Sequence, residues 1–323
     1  MILIIDFGSQ FNQLIARRVR EGKVYCQVEP PSISLEAIKA MAPEGIILSG
    51  GPASVYAKDS PRVDPSIFDL GIPVLGICYG LHFMVDTLGG KVKQADRREY
   101  GFAEFTLKGR SRLFNKVDKR SQCWMSHGDS IVSLPKGFTV IGTTDNTPVA
   151  AAHNARKRFY GLQFHPEVVH TVKGAQMINN FVYDICGCQR SWTMKGFAHD
   201  TIAQIQKEVG DRKVILGLSG GVDSSVTALL VHKAVGRQLT CIFVDNGLLR
   251  KNEASNLKVR LNEHLNINIR FVSARNLFLR ALAGVTDPER KRKIIGKVFM
   301  DVFEAEAKKI KNADFLGQGT LYP

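Results

Sequence analysis

Long hydrophobic runs are missing from this chain of 323 residues. No apolar stretch approaches the roughly 18 residues that a membrane-spanning helix requires, so no membrane partner is expected. The opening MILIIDFGSQ has no basic leader ahead of a signal-length apolar segment. It reads instead as a buried first strand running into a Gly-Ser loop, which sets the expectation of a cytoplasmic protein. Cysteine is sparse and scattered: Cys26, Cys78, Cys123, Cys186, Cys188 and Cys241 suit reduced thiols better than a disulfide framework. Only Cys186 and Cys188 are close in sequence, and neither His170 nor His199 adds finger-like spacing, so zinc is not expected. Acidic residues are in deficit, 30 against 44 Lys and Arg, and the net charge of +14 calls for anionic partners such as nucleotides or nucleic acid. No repeat of fixed period and no low-complexity tract is found.

What is present has the composition of a soluble globular protein, 44% hydrophobic and 23% charged, in a chain long enough for two cores. Short β-rich runs (ILII, KVYCQV, EGIILSG, PVLGI) alternate with helical patterns at Gln10 to Glu21 and Ser34 to Met41, the signature of parallel strands with crossover helices. Between Gly90 and Phe164 the helical period fades, and runs such as FTVIGT and PVAAAH separated by turns predict an antiparallel or mixed extension of the sheet. A helix over Thr171 to Ile185 closes the first unit. The alternation restarts with a helix near Phe197 to Val209, strand KVILGL, a helix after Asp223, strand LTCIFV, a helix over Asn252 to His264 and strand INIRFV. The expectation is an α/β protein of two doubly wound domains: residues 1–188 around a mixed sheet, a linker at 189–195, and residues 196–323 around a parallel sheet.

Within "PVLGICYGLHF", an apolar run delivers Cys78 into Tyr79-Gly80 just where a helix begins. A nucleophile on a sharp strand-to-helix turn between glycines is the elbow arrangement of G-x-S-x-G hydrolases, here with a thiol. The helix N-terminus favours the thiolate, the form that attacks. A buried core cysteine at a strand end fits the same five residues. "LQFHPEV" ends an apolar run at His165, and Glu167 follows two residues later, so a base and the carboxylate that orients it come from one loop. His82, His127 and His153 also lie near strands, where a structural histidine is the default. "SGGP", Ser49 to Pro52, ends another parallel strand and offers backbone N–H groups for an oxyanion.

In the second half, "VILGLSGGVDSSVTALL" runs a strand through Ser219, Gly220, Gly221, Val222, Asp223, Ser224 and Ser225 into a helix. Glycines admit an anion, successive N–H groups form a nest, and the helix adds its positive end, so a phosphate belongs there. Neither G-x-x-x-x-G-K-[ST] nor G-x-G-x-x-G is present. An aspartate in such a loop would repel phosphate unless a cation bridges them, which makes Asp223 the expected Mg²⁺ ligand. A Ser-Gly turn capping a helix with Asp is the plainer alternative. "PERKRK" reads as a solvated helix face; nucleic acid is not expected, since no finger, zipper or RNP pattern accompanies it.

"GICYG", "SGG" and "HPE" in this order resemble a class I glutamine amidotransferase. The resemblance implies Cys78 as nucleophile, His165 as general base, Glu167 as its orienting acid, the N–H groups of Gly51 and Tyr79 as oxyanion hole, and glutamine as substrate. One departure stands out: His82 occupies a position where that family usually carries a glutamine lining the substrate pocket, which implies weakened glutamine binding or harmless drift. SGGxDS resembles the PP-loop of N-type ATP pyrophosphatases, with "CIFVDNGLLRKNE" on the adenosine side. The combination, with "DFGSQ", "WMSHGD", "DPERKRKIIG" and "GQGTLYP", resembles the glutamine-hydrolysing GMP synthase family. That implies a ligase of purine biosynthesis acting on xanthosine 5′-phosphate, with ATP and Mg²⁺, as a homodimer, and it suggests that "PERKRK" is a mobile loop over bound nucleotide. The family's synthase half continues beyond the segment matching Pro323 into a dimerisation domain, so an incomplete synthase half, with glutaminase activity at most, is one expectation. The residues also fit another PP-loop amidotransferase of NAD-synthetase type, or a catalytically silent nucleotide-binding regulator.

Overall fold

The fold follows from how the apolar runs divide their side chains between two faces. In the computed structural model, which describes residues 1–259, 266–310 and 312–319, strand β1 (Ile2–Ile5) is buried throughout. Its Ile2 and Ile4 enter one apolar cluster while Leu3 and Ile5 enter another. A strand covered on both faces has no polar side to show, so it reads as an unbroken apolar run. Strands β3 (Gly45–Leu48) and β4 (Val74–Ile77) repeat the pattern and pair in parallel with their neighbours. Helices α1 (Asn12–Glu21), α2 (Leu35–Met41) and α3 (Tyr79–Thr87) and strand β2 (Cys26–Glu29) complete the first half of this unit. Ser34 caps α2 by accepting from the Ala37 N–H, one of the donors that a helix start leaves unpaired.

Two long arms follow, β5 (Lys91–Leu107) and β6 (Arg120–Ser133), paired antiparallel. Along β6 burial alternates, with Cys123, Met125, His127, Asp129 and Ile131 facing inward, the period of a strand with one solvated face. Strands β7 (Thr139–Thr143), β8 (Ala151–Asn154) and β9 (Phe159–Leu162) finish a nine-stranded mixed sheet ordered β2-β1-β3-β4-β9-β8-β7-β5-β6. The expected mixed extension is thus present. The helix expected over Thr171 to Ile185 starts later: α4 spans Gly174–Asn179 and passes into a π-helical segment, Asn180–Ile185. Thr171 instead binds the preceding loop, its hydroxyl donating to the His165 carbonyl at 2.6 Å.

The chain divides into two compact units, Met1–Thr193 and Met194 onward. In the second, helix α5 spans Met194–Val209, so its first turn takes up Met194 and Lys195, residues expected to belong to a linker. Strands β10 (Lys213–Leu218), β11 (Leu239–Asp245), β12 (Ile269–Ser273) and β13 (Ala313–Gln318) form an all-parallel sheet ordered β12-β11-β10-β13. Helix α6 (Val222–Val235) follows β10. Val214, Leu216 and Leu218 pack on one face of β10 and Ile215 on the other. Helix α7 covers Glu253–Lys258; residues 260–264 of the helix expected to reach His264, and the last four residues of "GQGTLYP", lie outside the described residues. Helix α8 (Arg275–Leu282) was not among the expected elements, although its residues alternate between faces with a helical period. "PERKRK" forms the first turns of α9 (Pro288–Ala307), capped by Asp287 accepting from the Arg290 N–H at 2.7 Å. It is a solvated helix face, and the mobile-loop reading is set aside. Among the described residues no helix is long and apolar enough to cross a membrane.

Candidate active site

Strands β3, β4 and β9 are neighbours in the first sheet, all parallel, and their carboxyl ends gather the chemistry-bearing residues on one rim. Such rims are where open α/β sheets hold ligands. Cys78 follows β4 directly and is the residue before α3, at φ +49°, ψ −105°. That backbone conformation is rare for a residue with a Cβ and is held by its surroundings. Those surroundings require glycine on both sides. A Cβ on Gly76 would meet the Gly80 carbonyl oxygen at 2.7 Å, and one on Gly80 would meet the Leu48 carbonyl oxygen at 2.3 Å. The two glycines therefore let α3 close against β3 and β4, and the closure bends Cys78.

His165 stands in the loop after β9, buried, with its ring edge-on to Phe11 at 5.6 Å. Its Nδ1 shares a 2.8 Å hydrogen bond with Glu167 Oε1, and Glu167 is wholly buried. The Arg18 guanidinium holds this loop by donating to the Glu167 carbonyl at 3.1 Å. Imidazole and thiol converge beside Gly50: a Cβ there would lie 3.1 Å from His165 Cε1 and 3.8 Å from Cys78 Cβ. Burial opposes protonation of His165. The Glu167 carboxylate and the Cys78 sulfur that faces it outweigh burial and raise the His165 pKa to about 10. An imidazolium facing a sulfur is the state that keeps a thiolate charged. The Cys78 Sγ also lies 3.6 Å from the Ser126 carbonyl oxygen.

Cys78 and His165 open onto a cleft of about 600 Å³ that Gly51 and Tyr79 also line. Tyr79 is the first residue of α3, and its N–H belongs to the group a helix start leaves without an intrahelical acceptor. A Cβ on Gly51 would meet the Phe7 carbonyl oxygen at 2.6 Å, so no side chain can intrude there. Strands β5 and β6 contribute Arg98, Tyr100, His127 and Asp129 to the lining; of these the sequence had marked His127 alone, as a histidine with a structural role by default. The Tyr56 hydroxyl donates to Asp129 Oδ1 at 2.8 Å. His127 bonds the Asp129 carbonyl oxygen through Nδ1 at 2.8 Å, and burial lowers its pKa. The alternation of "WMSHGD" along one strand was the available signal, since it puts His127 and Asp129 on a common face. His82 is buried on α3 and shares a 2.7 Å hydrogen bond with Gln163, another residue not singled out.

In the second unit Ser219 to Gly221 form the turn between β10 and α6, and Val222 to Ser225 make up the first turn of α6. Gly220 takes φ +85°. The loop is held by its own serines: Ser219 and Ser224 hydroxyls are 3.0 Å apart, the Gly221 N–H donates to Ser219 Oγ at 3.3 Å, and Ser225 Oγ donates to the Gly221 carbonyl at 2.8 Å. Strand order reverses between β10 and β13, and a Cβ on Gly319 would come within 3.1 Å of Ser224 Cα. The loop thus sits at the crevice where such sheets bind nucleotides. Asp223 is exposed in the first turn of α6. Among the described residues no three His, Cys, Asp or Glu side chains gather to hold a metal by themselves. A single exposed carboxylate in an anion-attracting turn fits a cation that draws its remaining ligands from phosphate oxygens.

The first unit is thus an α/β layer structure with a cysteine at a strand-to-helix elbow and a histidine–carboxylate pair facing it. The chain belongs to the class-I glutamine amidotransferase family, whose sequence profile matches residues 3–185. A second profile, that of NAD synthase, matches residues 197–292. Proteins described as glutamine-hydrolysing GMP synthases from Clostridium botulinum (strain Kyoto / Type A2) and Acetivibrio thermocellus are 54% and 55% identical to this chain over 323 residues. One from Brachyspira hyodysenteriae is 54% identical over 322 residues. All of this chain aligns in each case, and it spans 63% of the length of these relatives. A crystal structure from Thermoplasma acidophilum, provisionally described as one subunit of a GMP synthase, is similar at TM-score 0.50 and 27% identity, covering 57% of this chain and 92% of that one.

Proposed function

We propose that the first unit hydrolyses the side-chain amide of glutamine, and that the second directs the ammonia to a nucleotide activated by ATP, as in GMP synthesis from xanthosine 5′-phosphate. The observation that carries the reading is the convergence of Cys78 and His165 on one cleft, with the buried Glu167 bonded to the far side of the imidazole. The Cys78 thiolate attacks the amide carbon, and the oxygen that becomes negative is met by the N–H groups of Gly51 and Tyr79. His165, held by Glu167, gives its proton to the departing nitrogen, which leaves as ammonia. A glutamyl thioester remains on Cys78. Water, deprotonated by His165, attacks it and releases glutamate with the thiolate restored.

In the second unit, the Ser219–Ser225 turn would receive the phosphates of ATP on its N–H groups and on the N-terminus of α6. Asp223 would hold Mg²⁺, which when bound neutralises phosphate oxygens and the leaving pyrophosphate. The 54% identity over the whole chain to GMP synthases favours xanthosine 5′-phosphate as the acceptor; the NAD synthase profile over residues 197–292 favours an acid-amidating ligase as the second reading. Glutamate release from glutamine should fall to background in Cys78→Ala, and an equal rate in that variant would remove the nucleophile. Pyrophosphate release from ATP that depends on xanthosine 5′-phosphate separates the two acceptors; dependence on a nicotinate nucleotide instead would overturn the purine reading.

A further inference from the structure

The buried pair formed by His82 and Gln163 adjoins the nucleophile but belongs to no step above. Gln163 is fully buried, two residues before His165. Its Oε1 lies 2.7 Å from His82 Nε2, and its Nε2 lies 3.9 Å from Cys78 Sγ, within hydrogen-bonding reach for sulfur. Because Oε1 only accepts, the His82 ring must carry its proton on Nε2. Turning the amide over would set a carbonyl oxygen against the sulfur, which a thiolate repels, so the charge on the sulfur selects the orientation in which Oε1 meets His82.

We infer that His82 is a positioning residue: through its Nε2–H···Oε1 bond it holds the Gln163 amide so that an N–H points at the Cys78 sulfur and steadies the thiolate. Burial supports this by keeping the imidazole neutral, its pKa lowered to about 4, so the ring keeps the same donor throughout the working pH range. The charged and titratable groups around the pair are Asp129 and His127 of β6 on the His82 side, and His165 with Glu167 on the sulfur side. None of them replaces the amide N–H at Gln163. On this view the histidine that departs from the usual glutamine does not line the pocket passively. It does its work one residue removed from the sulfur.

The inference rests on Cys78 being the nucleophile, and its test does not need turnover. The rate of Cys78 alkylation by iodoacetamide is followed against pH by mass spectrometry in the 323-residue chain. The remaining cysteines interfere little: burial raises Cys26 and Cys186 and pushes Cys123, Cys188 and Cys241 up to about 12. Gln163→Met, which keeps volume and removes the donor, should move the acid limb of the profile up by about half to one pH unit, a three- to tenfold loss of thiolate below it. His82→Leu should do the same to a smaller extent. His82→Gln, whose amide can still donate, should restore the limb. A packing role alone would lower the melting temperature of these variants without moving the limb. Limbs that coincide with wild type in Gln163→Met, or in His82→Leu should the first variant misfold, overturn the inference while leaving the nucleophile in place. A wild type whose Cys78 alkylates as an ordinary thiol and which releases no glutamate overturns the underlying reading instead.

Discussion

His165 carries the electrostatic weight of the first site. Its pKa is raised to about 10 although burial opposes the charge, because the Glu167 carboxylate and the Cys78 sulfur face it. The charged ring strengthens the folded state fully below the ordinary value of 6.5, and that contribution is lost as pH climbs through about 10. In Glu167→Gln the alkaline limb of glutamate release should fall by at least about one pH unit, because the ring loses its largest source of positive stabilisation. A pH–rate profile checks it, and an unmoved limb contradicts the role. Cys78 carries the geometric weight. With φ at +49° it occupies backbone space that glycine enters freely. Cys78→Gly should therefore be more stable than Cys78→Ala by about 1 kcal/mol in urea unfolding, although both are inactive. At this scale Cys78, His165 and Glu167 stood out in the sequence, because a thiol between glycines and an imidazole two residues from a carboxylate are local patterns. Gln163, Asp129 and Arg98 did not, because what marks them is a neighbour far away in sequence.

At the scale of elements, the elbow is made by α3 docking on β3 and β4, and its tolerance is set by Gly76 and Gly80. Gly80→Ala adds a methyl that would lie 2.3 Å from the Leu48 carbonyl oxygen, a backbone atom that cannot swing away. The helix must shift outward, at a cost of about 1–3 kcal/mol, and it carries Tyr79 and Cys78 with it. Urea denaturation and glutamate release should both report the change; a variant of wild-type stability would show that the contact relaxes elsewhere. Strands β1, β3, β4, β10 and β11 were legible because both of their faces are buried and their sequences are continuously apolar. The π-helical end of the α4 segment and the true start of α4 were not, since side chains from Thr171 onward look helical whether or not the Thr171 hydroxyl is drawn to the His165 carbonyl and the Val172 N–H to Gln122 of β6.

At the scale of the molecule, two compact units meet in the chain at Thr193–Met194, and residues Gln189 to Ser191 just before that point are exposed. Limited digestion with trypsin should cut first at Arg190, leaving a stable fragment that ends there, readable by intact mass. First cleavage inside either sheet would argue against the division. The net charge of +14 and the two anion-receptive strand-to-helix turns concern the same property, attraction of negative ligands, at two distances. The order of apolar runs, glycines and turn residues was enough by itself to determine the α/β class, the place of each turn and the identity of the residues on it, because these depend on neighbours a few positions apart. Only the tertiary structure decided that β3, β4 and β9 lie side by side, that β6 turns His127 and Asp129 toward the cleft, and that His82, at the cleft wall, bonds Gln163. Pairings of that kind depend on which strands become neighbours, and strand order is an outcome of global packing that no short window of sequence contains.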